Sequence, residues 1–446
     1  MHWYATYGHQ LLTMHLLKTE RIIAIATCLL MVACNAMDSS DDFVTARDGQ
    51  FYCNGEPYRY VGTNFWYGAI LGSEGQGGNR ERLSAELDSL HALGLDNLRI
   101  LVGAEGATQK QSLVWPTLQT APGVYNDTLF AGLDWLLQEM SERKMKAVLY
   151  LNNAWEWSGG FAQYLEWAGE GPALDPTRDG YKEYCSYAAR FATNTRAQQL
   201  FFNHVRTVVS RTNSYNQRRY ADDPTIMAWQ IANEPRPFSS DSATMEGYKA
   251  WIAQAAAIIK AIDARHLVSV GSEGLVGCEN STECFEQIHA NPNIDYLTIH
   301  IWPMNWGWVT HEEVRQDTAG TDTALMQRVL TLTDAYVRQH LDIAKRLGKP
   351  LVIEEFGYAR DGHRFDLSAT THARDAYYRH ILELPDSFPT LCGLNFWAWS
   401  GLARPTTIRW QPFHDYCGDP AQEEQGLYSV FLSDTSTINL LRRACH

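Results

Sequence analysis

Two short stretches carry residues that can do chemistry together. The first is "WQIANEPRP", residues 229–237. There an apolar run ends in Asn233 and Glu234, and Pro235 then forbids a simple continuation of a strand. The second is "PLVIEEFGY", in which Glu354 and Glu355 close another apolar run. A carboxylate at the tip of a buried strand is either paired structurally or placed to act. Two such groups facing each other can divide the work of breaking a glycosidic bond. One gives a proton to a poor alkoxide leaving group, and the other stabilises or traps positive charge at the sugar carbon. Side chains alternate along a strand, so only one of Glu354 and Glu355 is expected to face the partner.

The elements that must position these groups are legible as an alternation. Apolar, β-branched runs occur at 58–64, 97–103, 146–152, 225–233, 266–272, 295–301, 350–357 and 392–399. Helical patterns lie between them, such as "RERLSAELDSLHALGL", "DTLFAGLDWLLQEMSERK" and "LMQRVLTLTDAYVRQHLDIAKRL". Eight strands alternating with helices point to an α/β fold, a (β/α)8 TIM barrel. The continuous apolar runs suit strands buried on both faces. An open doubly wound sheet is the alternative, but no Gly-rich phosphate turn follows the first strand. A closed barrel places the fourth and seventh strands across the mouth from each other, and so Glu234 opposite the 354–355 pair. Such a barrel needs about 250 residues, so the rest is expected in long βα loops. The two singled out are 153–195 and a segment from "WPMNWGW" to about 321, which together carry many Trp and Tyr residues.

Composition narrows the class. The chain has 446 residues, 45% hydrophobic and 20% charged, which is ample for a large core. Its net charge is −14 and no basic cluster appears, which argues against a nucleic-acid partner. At the N-terminus, Lys18 and Arg21 precede the apolar run 22–34. That reads as a signal peptide, too short to span a bilayer as a mature helix. Met14 offers a more ordinary start than Met1. The run ends in "MVAC", similar to a bacterial lipobox. The expected organisation is therefore a lipoprotein-type signal at 1–33, a short acidic tether at 34–45 with Cys34 lipidated, and a single domain at 46–446. The expected location is the bacterial cell envelope, with secretion or the periplasm as alternatives, and the only membrane contact is the lipid. Setting aside Cys28 and Cys34 leaves seven of the nine cysteines, and Cys278 and Cys284 can close a small disulfide loop.

The ordered motifs go further. "FYCNGEPYRYVGTNFWYG", "LYLNNAWEWSGGFAQYLEW", "YADDPTIMAWQIANEPRP", "IDYLTIHIWPMNWGW", "PLVIEEFGY" and "GLNFWAWSG" together resemble glycoside hydrolase family 5, and most of all its endo-β-1,4-mannanase branch. The resemblance covers nearly all of the mature chain. It implies that Glu234 is the acid/base and Glu355 the nucleophile of a retaining double displacement, with Glu354 pointing away. Asn233 matches the residue that bonds the sugar 2-hydroxyl. Arg99 matches the arginine that holds the nucleophile ionised, so Glu355 is expected low in pKa and Glu234 high. His300 matches the active-site histidine of the sixth strand. Trp302 stands where many members carry a Tyr, and its indole can donate but not accept. Trp397 matches the aromatic floor under the reacting sugar, though Trp399 lies two residues along the same predicted strand. Arg236 matches a contact to leaving-group sugars, and Trp66, Asn153 and Trp155 are expected on the glycone side. The implied substrate is β-mannan or manno-oligosaccharides. An exo-acting β-mannosidase or mannobiohydrolase, a β-1,4-glucanase and a non-catalytic sugar-binding lipoprotein are the alternatives. No metal or organic cofactor is implied, because two carboxylates suffice.

Overall fold

The computed structural model describes residues 42–110 and 112–445. The expected signal at 1–33, Cys34 and most of the tether lie outside the described residues. No helix among the described residues is long and apolar enough to cross a membrane.

Eight parallel strands form one sheet. They are β1 (Tyr60–Asn64), β2 (Asn97–Leu101), β3 (Lys146–Tyr150), β4 (Ile226–Gln230), β5 (Leu267–Ser269), β6 (Leu297–Ile301), β7 (Leu351–Phe356) and β8 (Leu391–Phe396). Hydrogen-bonded neighbours run β5-β4-β3-β2-β1-β8-β7-β6. Between β5 and β6 the ladder gives way to separate bonds: Asp295 N–H donates to Val268 O at 2.8 Å and His300 N–H to Glu273 O at 3.1 Å. The sheet is thus almost closed into a (β/α)8 barrel.

A helix follows each strand: α1 (Arg80–Leu93), α2 (Asp127–Glu142), α3 (Thr195–Val209), α4 (Ser242–Ile262), α5 (Thr282–Ala290), α6 (Thr323–Leu347), α7 (His372–Ser387) and α8 (Thr435–Cys445). Asn or Asp side chains accept from first-turn N–H groups at α1, α2, α3, α4 and α6, which explains where these helices begin. β2, β4, β6, β7 and β8 are buried at every residue, as expected for a sheet covered on both faces. Three short antiparallel strands, Thr45–Arg47, Gln50–Cys53 and Glu56–Tyr58, precede the barrel. Their Phe51 joins Val148, Met227, Val352 and Cys392 in one buried cluster.

Four βα loops are long: 102–126, 151–194, 302–322 and 397–434. The sequence singles out the second and third but not the first and last; in the last, "ARPTTIRWQPFHDY" carries no periodic signal. Several strands also end earlier than expected, and two of these ends bear on the site. β4 ends at Gln230 rather than at Asn233, and β8 ends at Phe396, with Trp399–Gly401 pairing separately with Val430–Phe431. Trp397 and Trp399 are therefore not on one strand. The Trp399 indole N–H donates to Glu86 at 2.8 Å, away from the barrel mouth. Cys278 and Cys284, expected to close a disulfide loop, stand as thiols whose side chains hydrogen-bond to each other. That loop is already closed by backbone bonds, with Asn280 N–H on Leu275 O and Ser281 N–H on Cys278 O, and by the Ser281 cap on Cys284 N–H.

Candidate active site

Past Gln230 the chain stays extended beside β5, with Ile231, Ala232 and Glu234 N–H groups donating to Ser269, Val270 and Gly271 carbonyls. Asn233 bridges to Asn153 beyond β3. Glu234 then takes φ +48°. Left-handed backbone is unfavourable for a residue with a Cβ and is retained where the surroundings over-determine it. Here both carboxylate oxygens are held: His300 Nδ1 is 2.8 Å from Oε1, and the Trp155 indole donates to Oε2 at 2.6 Å.

Glu355 enters from β7. Arg99 Nη1 donates to its Oε1 at 2.5 Å and the Trp302 indole to its Oε2 at 3.2 Å. Arg99 is fully buried and also holds Asn64, Gln230 and, at 2.7 Å, Asn233 Oδ1. Asn233 Nδ2 donates to Asn153, which leaves its second amide hydrogen for a ligand. A Glu234 oxygen, a Glu355 oxygen and a His300 ring nitrogen all lie within 4.8 Å of one another. The carboxylates thus stand near the spacing of about 5–5.5 Å used by retaining glycosidases rather than the wider spacing of inverting ones.

The protonation pattern of the site is the reverse of the expected one. Burial pushes Glu355 up to about 7, and Glu234's charge adds to this against the opposing pull of His300 and Arg99. Glu234 is lowered: burial acts upward, but the His300 hydrogen bond and charge, Arg236 and the Trp155 donor outweigh it. Burial would depress His300, yet the charges and hydrogen bonds of Glu355, Glu234 and Glu354 raise it to about 10. The proton rests on the imidazole between two carboxylates.

These groups open onto a cleft of about 760 Å³. Asn233, Glu234, Arg236, Glu355, Trp155, Trp302 and Trp397 line it. Arg236 makes a two-point bond to Glu273 at 2.5 and 2.7 Å and lies over the Trp155 ring, which stacks on the exposed Tyr181. Trp155 thus stands directly against Glu234 and Arg236. Trp66 and Asn153 are not in the cleft lining. The Trp66 indole donates to Gly418 O at 2.8 Å and the ring is 1% exposed, so it packs the β8 loop in place. Asn153 is fully buried and orients Asn233 and the Trp155 backbone.

The sequence reading missed several residues. Gln422 and Glu423 of the β8 loop line the cleft, and Gln422 Oε1 and Glu423 Oε2 are buried without a partner. Glu354 is also misread. Ile299 pairs with Ile353 but His300 pairs with Glu355, so one extra residue, Glu354, bulges on β7. The alternation rule fails there, and the Glu354 carboxylate turns inward, 3.5 Å from Arg99 Nε. A bulge has no signature in the "VIEEF" run.

Paired carboxylates across a barrel mouth, each with its own donors, define a glycoside hydrolase site. A family profile described as GH family 5 beta-mannosidase-like matches residues 41–446. The chain belongs to glycoside hydrolase family 5. It is similar to a putative mannan endo-1,4-beta-mannosidase 9 of Oryza sativa, 28% identical over 81% of this chain and 82% of that protein. Mannan endo-1,4-beta-mannosidase 1 of Arabidopsis thaliana is 29% identical over 80% of this chain and 81% of its own length. Among solved structures, a variant of the family 5 mannosidase from Rhizomucor miehei in complex with mannosyl-fructose is 33% identical. It superposes with a TM-score of 0.81 over 91% of this chain and 97% of that one.

Proposed function

We propose that this enzyme cleaves internal β-1,4-mannosidic bonds of mannan-type polysaccharides by double displacement. The observation that supports it most is the Glu234–Glu355 pair, with acceptor oxygens within 4.8 Å and separate donor sets. The names of its plant relatives and of its fungal structural neighbour support mannan over glucan. In the first step, Glu355 Oε2 attacks the anomeric carbon while the glycosidic C–O bond breaks and the leaving oxygen takes a proton from Glu234. The free site already holds that proton on His300. The 2.8 Å contact between Nδ1 and Glu234 Oε1 lets it pass to the carboxyl without any proton entering from solvent. Arg99 and Trp302 steady Glu355 as it changes from anion to ester. In the second step Glu234 takes a proton from water, which attacks the same carbon and frees Glu355.

A second reading, exo action, is favoured by one feature. Gln422 and Glu423 bring unpartnered oxygens to the cleft wall, suited to the hydroxyls of a terminal sugar. Product analysis on unbranched β-1,4-mannan beside carboxymethylcellulose separates the readings. The chain is used without residues 1–34, with Glu234→Ala and Glu355→Ala as controls. Mixed short manno-oligosaccharides, absent from both variants, are expected. A single product released from chain ends would replace endo by exo action, and cellulose cleavage would replace mannan by glucan.

We further propose that Cys34 carries a lipid that tethers the enzyme to a bacterial envelope. In a bacterial host, labelled palmitate should enter the wild-type chain and not Cys34→Ser; equal labelling of both would refute the anchor.

A further inference from the structure

Glu354 is the buried carboxylate that the reaction as described leaves unused. Its side chain is 1% exposed. The bulge that turns it inward lies between two residues of the site, since Glu355 follows it and His300 stands across the ladder. Gln230, the last residue of β4, donates its amide to both Glu354 oxygens at 2.7 Å. So held, Glu354 Oε2 lies 3.5 Å from Arg99 Nε and 3.7 Å from His300 Nε2. Those are the two cations that serve the catalytic pair. Arg99 binds Glu355 on its other edge, and His300 meets Glu234 through its other nitrogen. His300 Nε2 has no hydrogen-bond partner at normal distance, and Glu354 is the anion it faces.

We propose that Glu354 is a positioning residue for the reaction: it orients His300 with Nε2–H towards itself and Nδ1 towards Glu234, and it divides the charge of Arg99 with Glu355. The proposal rests on the reading of Glu234 and Glu355 as the catalytic pair. Its consequence is electrostatic. The charged groups facing His300 are Glu234, Glu354, Glu355 and, at longer range, Glu273. Those facing Glu354 are Arg99 and His300, with Glu355 beside it and the hydroxyls of Tyr60, Tyr150 and Tyr296 around it. Removing one negative charge from this set weakens the hold on the His300 proton. It also leaves the whole of Arg99 to Glu355, which then ionises more easily. Both changes act in the same direction on pH.

Glu354→Gln removes the charge at constant size. Both limbs of its kcat/KM–pH profile on manno-oligosaccharide should move to lower pH, by about one unit for a charge at this range. Glu354→Asp keeps the charge but draws it back, and should return the profile part of the way. A rate lowered equally at every pH, with both limbs unmoved, would mean a purely structural residue and overturn the proposal. A second readout needs no turnover. In protein labelled with 15N-histidine, the His300 signal, assigned by its loss in His300→Asn, should titrate at lower pH in Glu354→Gln than in the wild type. An unchanged titration in the folded variant also overturns the proposal. If Glu354→Gln does not fold, Glu354→Asp is read in its place, with a smaller shift of the same sign. A wild type that cleaves no mannan would sink the functional reading while the His300 titration still decides this one.

Discussion

His300 Nδ1 lies 2.8 Å from Glu234 Oε1, and the imidazole rather than the carboxyl holds the proton. Charge on both sides of the ring keeps the proton affinity of His300 near 10. The leaving-group proton is thus bound more tightly than Glu234 alone would bind it. In His300→Asn the proton must sit on Glu234 itself. The basic limb of kcat/KM against pH should then move down from the alkaline range towards that of a buried carboxyl, with kcat reduced. A basic limb that stays in place would assign it to another group.

Arg99 is the second hub. It is fully buried and bonded to Glu355, Asn233, Asn64 and Gln230. Arg99→Met removes the cation from beside two carboxylates. Activity should fall on the order of 100-fold or more, as when a preorganised charge is deleted from an active site. Unfolding should also become easier by roughly 3–5 kcal/mol, the usual cost of orphaning one partner of a buried ion pair. Thermal unfolding beside single-turnover kinetics separates the two effects. Loss of stability with full activity at low temperature would show that Arg99 only holds the barrel together.

Tyr181 is 58% exposed at the cleft rim, with its ring 6.1 Å from that of Trp155, which in turn bonds Glu234. The resemblance implies that Arg236 meets the leaving-group sugars, and Tyr181 stands next to it across the Trp155 ring. Tyr181→Ala should reduce kcat/KM on mannopentaose by about 2–10-fold, the worth of one ring contact. It should leave p-nitrophenyl β-mannoside, which has no sugar there, unchanged. An equal loss on both substrates would move Tyr181 to a structural role.

Glu234, Glu355, Arg99, His300 and Trp397 were readable because each sits in a short motif on, or just past the end of, a strand that periodicity also marks. What was not readable depended on departures from regular geometry. Alternation sends Glu354 outward only if β7 pairs evenly with β6, and the one-residue bulge is invisible in a run of apolar and acidic residues. Trp66 and Trp155 are the same residue type in similar aromatic surroundings, yet one bonds the Gly418 carbonyl and the other Glu234. Which acceptor each indole meets is set by loops far away in the chain. The β8 loop was overlooked because it has no period of its own. It is tied down instead by distant partners, such as Arg82 on the Tyr416 carbonyl and Arg374 on the Leu427 carbonyl. The protonation order follows the donors each buried carboxylate meets: His300, Arg236 and Trp155 outweigh burial at Glu234, whereas burial prevails at Glu355, and a sequence motif does not report that balance.

Burial also makes Glu105 a sensor of pH for the fold. It stands beyond β2 and joins two active-site loops, accepting from Asn152 at 3.0 Å and from Gly160 N–H at 3.3 Å. Burial raises its carboxyl from 4.5 to about 8 against those hydrogen bonds. Below about 4.5 the carboxyl is protonated in both folded and unfolded chains and costs nothing. Between about 4.5 and 8 the folded chain keeps a proton that the unfolded chain has lost, so stability falls as pH rises. Above about 8 the full penalty applies, on the order of 5 kcal/mol. Glu105→Gln cannot ionise and keeps an acceptor for Asn152. Its melting temperature relative to wild type should rise steadily from pH 5 to pH 9, even though other buried acids titrate in both proteins. A difference that does not change across that range would show that Glu105 stays ionised in the folded enzyme, with its charge met by the Asn152 amide and the Gly160 N–H.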